Sequence, residues 1–249
     1  MQIAIPSYKR TRTLGSKTLS FLNTMVGVTL SNITIFVADD FEFIEYCEKY
    51  PDYHIVIGKP GITAQRNFIM NYYDYNEYIV SLDDDIEDYV SLEGKDYTDL
   101  FIRGKRELDR TGLTLWGVAS TSNTYFYGNQ KEVSTNLKFC IGQCFGFINK
   151  RYHLNETYCK VKQDYLFTLL NYENWGGVVR FNHVGMKTKM FQKGGIGDKK
   201  SRWDDNEVAC SYLKEHFGDL CTIMRGGTGY GEIRLRHRHR FDEVEEEVP

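Results

Sequence analysis

The chain has 249 residues, with 31 Lys and Arg against 34 Asp and Glu and a net charge of −3. That length is enough to bury a large core in one α/β domain, and the balance excludes a globally basic nucleic-acid coat but not a local patch. No apolar run reaches membrane length and no signal peptide is recognisable. The six cysteines show no paired CxxC spacing, which predicts reduced, mostly packed thiols in an intracellular protein.

In chain order, strands are expected over residues 2–6, 33–38 and 54–57, with helices near 17–26 and 41–50 between them. Pro60-Gly61 marks a turn into an amphipathic helix on which Ile62, Phe68, Ile69, Tyr72 and Tyr73 recur at helical spacing. Tyr78-Ile79-Val80-Ser81-Leu82 is a short apolar run that ends in Asp83, Asp84 and Asp85. A helix near 97–111 presents Leu100, Phe101, Gly104 and Leu108 on one face, and a strand follows over 114–119. Apolar segments at 139–149 and 178–181 flank a helix at 164–173. Strands alternating with helices indicate βαβ units and a mostly parallel sheet. No linker divides the chain.

Three adjacent carboxylates at the carboxyl end of such a strand repel one another and lie where open α/β sheets bind ligands. Oxygen-only ligation there suits Mg²⁺ or Mn²⁺ carrying a substrate phosphate; a solvated acidic turn is the plainer alternative. Asp83 and Asp85 share one side of an extended segment, which assigns them to the metal, and Asp84 faces away.

Gln65-Arg66-Asn67 on a helix, followed by an apolar strand ending in Asp83-Asp84-Asp85, closely resembles the nucleotide-sugar-binding half of GT-A glycosyltransferases, in which an Arg-Asn pair precedes a D-x-D. The opening strand with Pro6-Ser7-Tyr8-Lys9-Arg10, and the second strand ending in Asp39-Asp40, resemble that group as well. Within it, PSYKR (6–10), GITAQRN (61–67), LDDDI (82–86) and KQDY (162–165) most resemble the glycosyltransferases that accompany thymine and methylpyrimidine hydroxylases. Those include base J glucosyltransferase and phage relatives that put sugars on hydroxymethylated pyrimidines in DNA.

The resemblance implies a GT-A-type, Rossmann-like single α/β domain with a mostly parallel central sheet flanked by helices. Residues 1–90 would form its nucleotide-sugar-binding half, 91–241 its acceptor half and 242–249 an acidic tail. It implies a nucleoside-diphosphate-sugar donor, a divalent Mn²⁺ or Mg²⁺, and a DNA acceptor, in a cytoplasmic and conceivably phage-encoded enzyme with no membrane partner. Pro6, Ser7, Tyr8, Arg10, Asp39, Arg66, Asp83 and Asp84 would contact the donor, with Asp83 and Asp85 on the metal. Asp164 resembles the catalytic base, although Gln163 stands where the family places a first acid and a plain helix cap is the bland alternative. His183 resembles a histidine that completes the metal shell in some members; a structural hydrogen-bonded histidine is the alternative.

Two glycine-rich stretches follow, neither a Walker A loop. Residues 193–197 with Asp198-Lys199-Lys200-Ser201-Arg202 could close over a diphosphate; residues 225–231 read as a simple turn. Residues 232–241 alternate: Ile233 and Leu235 fall on one face, and Arg234, Arg236, Arg238 and Arg240 on the other. Such a row could follow a phosphate backbone, or pair with the acidic tail. The function expected is sugar transfer to a hydroxyl, in DNA or else on a glycan or lipid carrier. A metal-dependent nucleotidyltransferase and a non-catalytic nucleic-acid binder are the other readings.

Overall fold

The computed structural model describes residues 1–188, 199–227 and 229–236, the side chains of residues 199–201 excepted. In chain order its strands are β1 (Gln2–Pro6), β2 (Ile33–Val37), β3 (His54–Ile57), β4 (Tyr78–Leu82), β5 (Ile86–Ser91), β6 (Leu115–Ala119), β7 (Val133–Ser134), β8 (Cys144–Ile148), β9 (Val179–Thr188), β10 (Cys221–Arg225) and β11 (Gly231–Leu235). The α-helices are α1 (Thr11–Leu14), α2 (Ser20–Leu22), α3 (Asp40–Lys49), α4 (Ile62–Tyr72), α5 (Leu100–Thr111), α6 (Gln163–Trp175) and α7 (Lys199–His216).

One sheet runs in the order β3-β2-β1-β4-β8-β6-β9-β5, with β7 added against β9. The pairings β3–β2–β1–β4 and β6–β9 are parallel. Strand β8 is antiparallel to both β4 and β6, so β4 and β6 point the same way. The sheet is therefore parallel apart from β5, β7 and β8. Alternate residues face two cores. Ile3, Ile5, Ile35, Val37, Val80 and Leu82 join one, with Tyr46 of α3 and Leu100, Phe101 and Leu108 of α5. Ala4, Phe36 and Ile79 join the other, with residues of α4, α6 and α7. Burial on both faces explains why these strands read as continuous apolar runs.

The chain steps from β1 outward to β2 and β3, then returns through α4 to β4 on the other side of β1. That reversal opens a crevice at the carboxyl ends of β1 and β4, the place where such sheets bind ligands.

Some expected elements are displaced. The helix expected over 17–26 begins at Thr11 and passes through a π-helical turn, Gly15–Leu19, before ending at Leu22. There Gly15 meets the Tyr50 hydroxyl so closely that an added Cβ would lie 2.4 Å from it. Strand β9 runs to Thr188, well past the expected end at 181. Strands β5 and β10 were not foreseen, and Arg202 stands in α7 instead of a loop. Residues 193–198 lie outside the described residues. The turn expected at 225–231 joins β10 to β11, a separate hairpin packed on α7 through Asn206 Nδ2, which donates to Gly231 O at 2.9 Å.

All six cysteines are free thiols, as expected, and five of them are buried. Among the described residues no helix is long and apolar enough to cross a membrane.

Candidate active site

The turn after β1 is shaped from below by α3. Ser7 N–H continues the β1–β2 ladder by donating to Phe36 O at 2.9 Å. Beyond it the backbone reverses at Lys9, whose φ of 53° is held because Glu42, buried on α3, accepts the N–H groups of both Lys9 and Ala38. One turn along α3, Tyr46 OH accepts the Arg10 N–H at 3.1 Å and lies 2.7 Å from Ser7 Oγ. Burial pushes the Tyr46 phenol up to about 12, so it stays a neutral donor and acceptor.

This turn delivers its side chains to the acids at the end of β4. Ser7 Oγ donates to Asp84 Oδ2 at 2.7 Å, and Arg10 Nη1 lies 3.0 Å from Asp84 Oδ1 and 3.4 Å from Asp85 Oδ2. The acid segment is fixed by its backbone too: Asp83 N–H donates to Gln143 O, and Thr18 Oγ1, on the π-helical turn, donates to Asp83 O at 2.8 Å. Asp84 is turned into the wall, with a side chain 6% exposed, whereas Asp83 remains 35% exposed. Strand alternation does not carry through the acids: Asp84 and Asp85 lie in a turn and share Arg10, while Asp83 stands beside Arg66. The Asp83 carboxyl is raised by desolvation of its setting against the pull of Arg66, and the neighbouring Asp85 and Asp84 add to the rise.

Helix α4 carries the Arg-Asn pair, and the two residues face the segment 142–163. Thr63, Arg66 and Asn67 share one face at i, i+3 and i+4. Thr63 Oγ1 donates to Cys159 O at 2.6 Å. Asn67 exchanges two hydrogen bonds with the Leu154 backbone, both 2.8 Å, and donates to Glu156 at 2.7 Å. Arg66 donates to Gly142 O at 2.8 Å and to Gln163 Oε1, lies 3.7 Å from Asp83 Oδ1, and covers the Phe145 ring. Gln163 is thus an acceptor for Arg66. Asp164, in the first turn of α6, accepts the N–H of Gly142 at 3.1 Å and of Tyr165 at 3.0 Å. Its pKa is raised by burial, against the pull of Arg66 and these N–H groups. An added Cβ at Gly142 would lie 2.9 Å from Arg66 and 3.3 Å from Asp164, so only glycine leaves that junction open.

The crevice is a cavity of about 510 Å³. Pro6, Ser7, Tyr8, Arg10, Asp83, Asp84 and Asp85 line it, so seven residues singled out from the sequence are brought together. Ala38, Lys59, Gly61 and Gln65 line it as well and were not foreseen as site residues, and Arg202 joins them. A signal for the first four was present: they follow β2 and β3, at the same sheet edge. Gln65 binds that edge together, accepting Lys59 N–H at 2.6 Å and donating to Val37 O at 3.2 Å. Arg202, expected in a loop that closes over the diphosphate, reaches the cavity from α7 instead.

Other expected residues stand elsewhere. Asp39 is exposed and caps α3 by accepting Glu42 N–H at 3.0 Å. Arg66 lies beneath the cavity and touches Asp83 instead of lining the cavity. His183 is not brought to the acids: its Nε2 is 2.7 Å from Gln130 O. On β9 it is Thr188 that pairs with Ile86, the residue after the acids, five positions from His183. Arg234 and Arg236 are exposed on the hairpin while Ile233 and Leu235 are buried, as the alternation predicted. Arg238 and Arg240 lie outside the described residues.

Among the described residues no group of three or more His, Cys, Asp or Glu side chains converges on a metal position. Asp83 and Asp85 still fit a hard cation, because Mg²⁺ is commonly held by one or two carboxylates, water and substrate phosphate oxygens. A cation at this strand end would depend on the substrate for part of its shell.

No family model matches the sequence, and no curated protein matches it. The fold, however, is similar to solved structures. Residues 1–349 of S. aureus TarS in complex with UDP-GlcNAc match at a TM-score of 0.53 and 11% identity, over 88% of this chain and 73% of that one. The UDP complex of the same TarS segment matches at 0.50 and 11%, over 88% and 72%. A mycobacterial protein matches at 0.50 and 9%, over 98% of this chain and 87% of its own. The α/β architecture with a mostly parallel sheet and flanking helices, expected from the sequence, is the GT-A-type fold of these neighbours.

Proposed function

We propose that this chain is a metal-dependent glycosyltransferase that moves a sugar from a nucleoside diphosphate to a hydroxyl acceptor. One observation carries the reading: a single cavity at the sheet's switch point is lined by Asp83, Asp84 and Asp85 and also by the cations Arg10, Lys59 and Arg202. Acids alone would suit a cation and bases alone an anion; both together suit a diphosphate with its metal. TarS, whose fold is similar, binds UDP-GlcNAc, which supports the same class of donor.

Asp83 and Asp85 would hold the divalent ion, which when bound neutralises charge on the leaving diphosphate. The chain's own groups do the rest. Tyr8 offers an aromatic face beside the cavity for the base. Arg10 holds Asp84 and Asp85 in place, and Lys59 and Arg202 meet the phosphates. Asp164 takes the proton from the attacking hydroxyl, and Arg66 fixes its geometry relative to Asp83.

The finer reading is that the acceptor is a hydroxymethylated pyrimidine in DNA, flipped out or single-stranded to reach the site. It is supported by the four sequence stretches named above and by the exposed Arg234 and Arg236. A glycan or lipid-carrier acceptor is the alternative within the class, and a nucleotidyltransferase would release pyrophosphate instead. The deciding experiment incubates hydroxymethylated DNA and candidate glycans with a panel of nucleotide sugars, with Mn²⁺ or with EDTA, and reads products by mass spectrometry. Metal-dependent mass gain of one sugar on DNA supports the full reading. Gain on a glycan alone removes the DNA acceptor, and pyrophosphate release without sugar transfer removes the glycosyltransferase.

A further inference from the structure

On the acceptor side of the sheet, Arg180 of β9 is 8% exposed and has no carboxylate partner among the described residues. Its Nη1 donates to Phe139 O, while its Nε is buried with no hydrogen-bond partner. The ionisable groups nearest in its field are the Cys140 thiol and the Tyr127 and Tyr165 phenols, all raised by burial and therefore neutral at pH 7. A second cation adds to the excess. Among the described residues, the partners of Lys138 Nζ are uncharged oxygens, Gln130 Oε1 at 2.6 Å and Asn182 Oδ1 at 3.1 Å. Taking a guanidinium out of water is costly unless an anion meets it. Two neighbouring cations without a carboxylate, among the described residues, leave a local excess of positive charge.

Their place in the sheet is informative. Cross-strand pairing puts Ser81, Phe145, Gly117 and Arg180 in one row on the same sheet face. Arg180 is thus two strand spacings, about 10 Å, from Phe145, whose ring lies under Arg66. Phe139, the residue that accepts from Arg180, stacks on Tyr165 at 3.9 Å, and Tyr165 adjoins Asp164.

We infer that Arg180 and Lys138 bind a phosphate carried by the acceptor, fixing the attacking hydroxyl relative to Asp164; this rests on the glycosyltransferase reading. A planar guanidinium whose Nε–H has no partner offers a donor to a phosphate oxygen. The test is calorimetric titration of inorganic phosphate into the full chain, with UDP and Mg²⁺ saturating the donor cavity and again without them. The wild type is expected to bind phosphate with the donor cavity filled. Arg180→Gln should weaken it about 30-fold or more and Lys138→Gln several-fold, with UDP affinity unchanged in both. If Arg180→Gln does not fold, Lys138→Gln, at a partly exposed position, decides. A phosphodiester dinucleotide and glycerol phosphate as competitors distinguish a nucleic-acid backbone from a polyol or lipid phosphate. No phosphate binding to the wild type, or unchanged binding in the variants, overturns the proposal. Failure of UDP to bind would instead remove the donor reading, and the titration without UDP would still report on Arg180.

Discussion

Asp164 receives two backbone N–H groups and lies in the field of the buried Arg66 guanidinium, yet burial prevails and raises its pKa above the usual aspartate value. As a base it must be ionised, so the acid limb of the transfer rate should lie above pH 3.8, with activity rising as pH rises through the raised value. Stability runs the other way. Between the unfolded value of 3.8 and the higher folded one, the native state binds more protons, so this group's contribution falls as pH rises through that window. Asp164→Asn should lower turnover by about 10²–10⁴-fold and abolish that limb. UDP affinity should stay within about twofold, because a base acts in the transition state. A variant keeping a tenth of the activity would leave Asp164 the structural task of holding Gly142. Asp85 is tested by a different measurement. Its side chain shares Arg10 with Asp84 and lines the cavity. Wild-type affinity for UDP should rise with Mn²⁺ and drop in EDTA, and in Asp85→Ala the two titrations should coincide. An EDTA-insensitive wild type would remove the metal.

Between elements, residues 142–163 are fastened to the N-terminal part of the sheet through one face of α4. Asn67→Ala would strand the Leu154 N–H and C=O in the interior, so a loss of about 2–3 kcal/mol is expected in urea unfolding. Less than about 0.5 kcal/mol would mean that the fastening lies elsewhere. Trp116 of β6 is wedged between Gly104 of α5 and Gly146 of β8, where an added Cβ at either would lie 2.3 Å from the indole. Helix propensity alone favours Gly104→Ala by about 1 kcal/mol. The clash should reverse that sign and destabilise by about 1–3 kcal/mol. Elements with a continuous apolar run between turn residues, β1 to β4 and α4, are legible to within a residue or so, because burial on both faces writes itself into composition. Strand β5 is not, because Glu87, Asp88 and Ser91 interrupt it near the sheet edge, where one side faces water. Helix α7 hides for a similar reason: Asn206 stands among its inward residues Ala209, Cys210 and Leu213, so the stripe reads as polar. Arg66 was legible as a site residue but not in its role, since Gly142 and Gln163 reach it only through the fold. His183 shows the limit of motif register. One bulge and a longer β9 move the position beside the acids to Thr188.

For the whole molecule, a net charge of −3 leaves a DNA acceptor dependent on local cations. The β10–β11 hairpin supplies some. Arg234 and Arg236 stand exposed while Ile233 and Leu235 pack inward, and the row continues to Glu232, which pairs with Lys162 at 3.1 Å. Lys162 precedes Gln163 and Asp164, so the cationic edge is joined to the helix that carries the proposed base. Phosphates neutralised there release counterions, with a log–log salt slope of about −0.7 to −0.9 for each. Arg234→Gln with Arg236→Gln should therefore flatten the salt dependence of DNA binding by about 1.5 and weaken binding alike for all sequences. UDP affinity should not change, because neither residue lines the donor cavity. Fluorescence anisotropy over a salt series, with hydroxymethylated and plain single strands, measures both quantities. An unchanged slope would separate the hairpin from the acceptor, and a wild type that binds neither strand at low salt would remove DNA altogether. In that outcome Arg180 and Lys138 become the sole candidates, among the described residues, for reading the acceptor's charge, and the glycan panel becomes the next measurement.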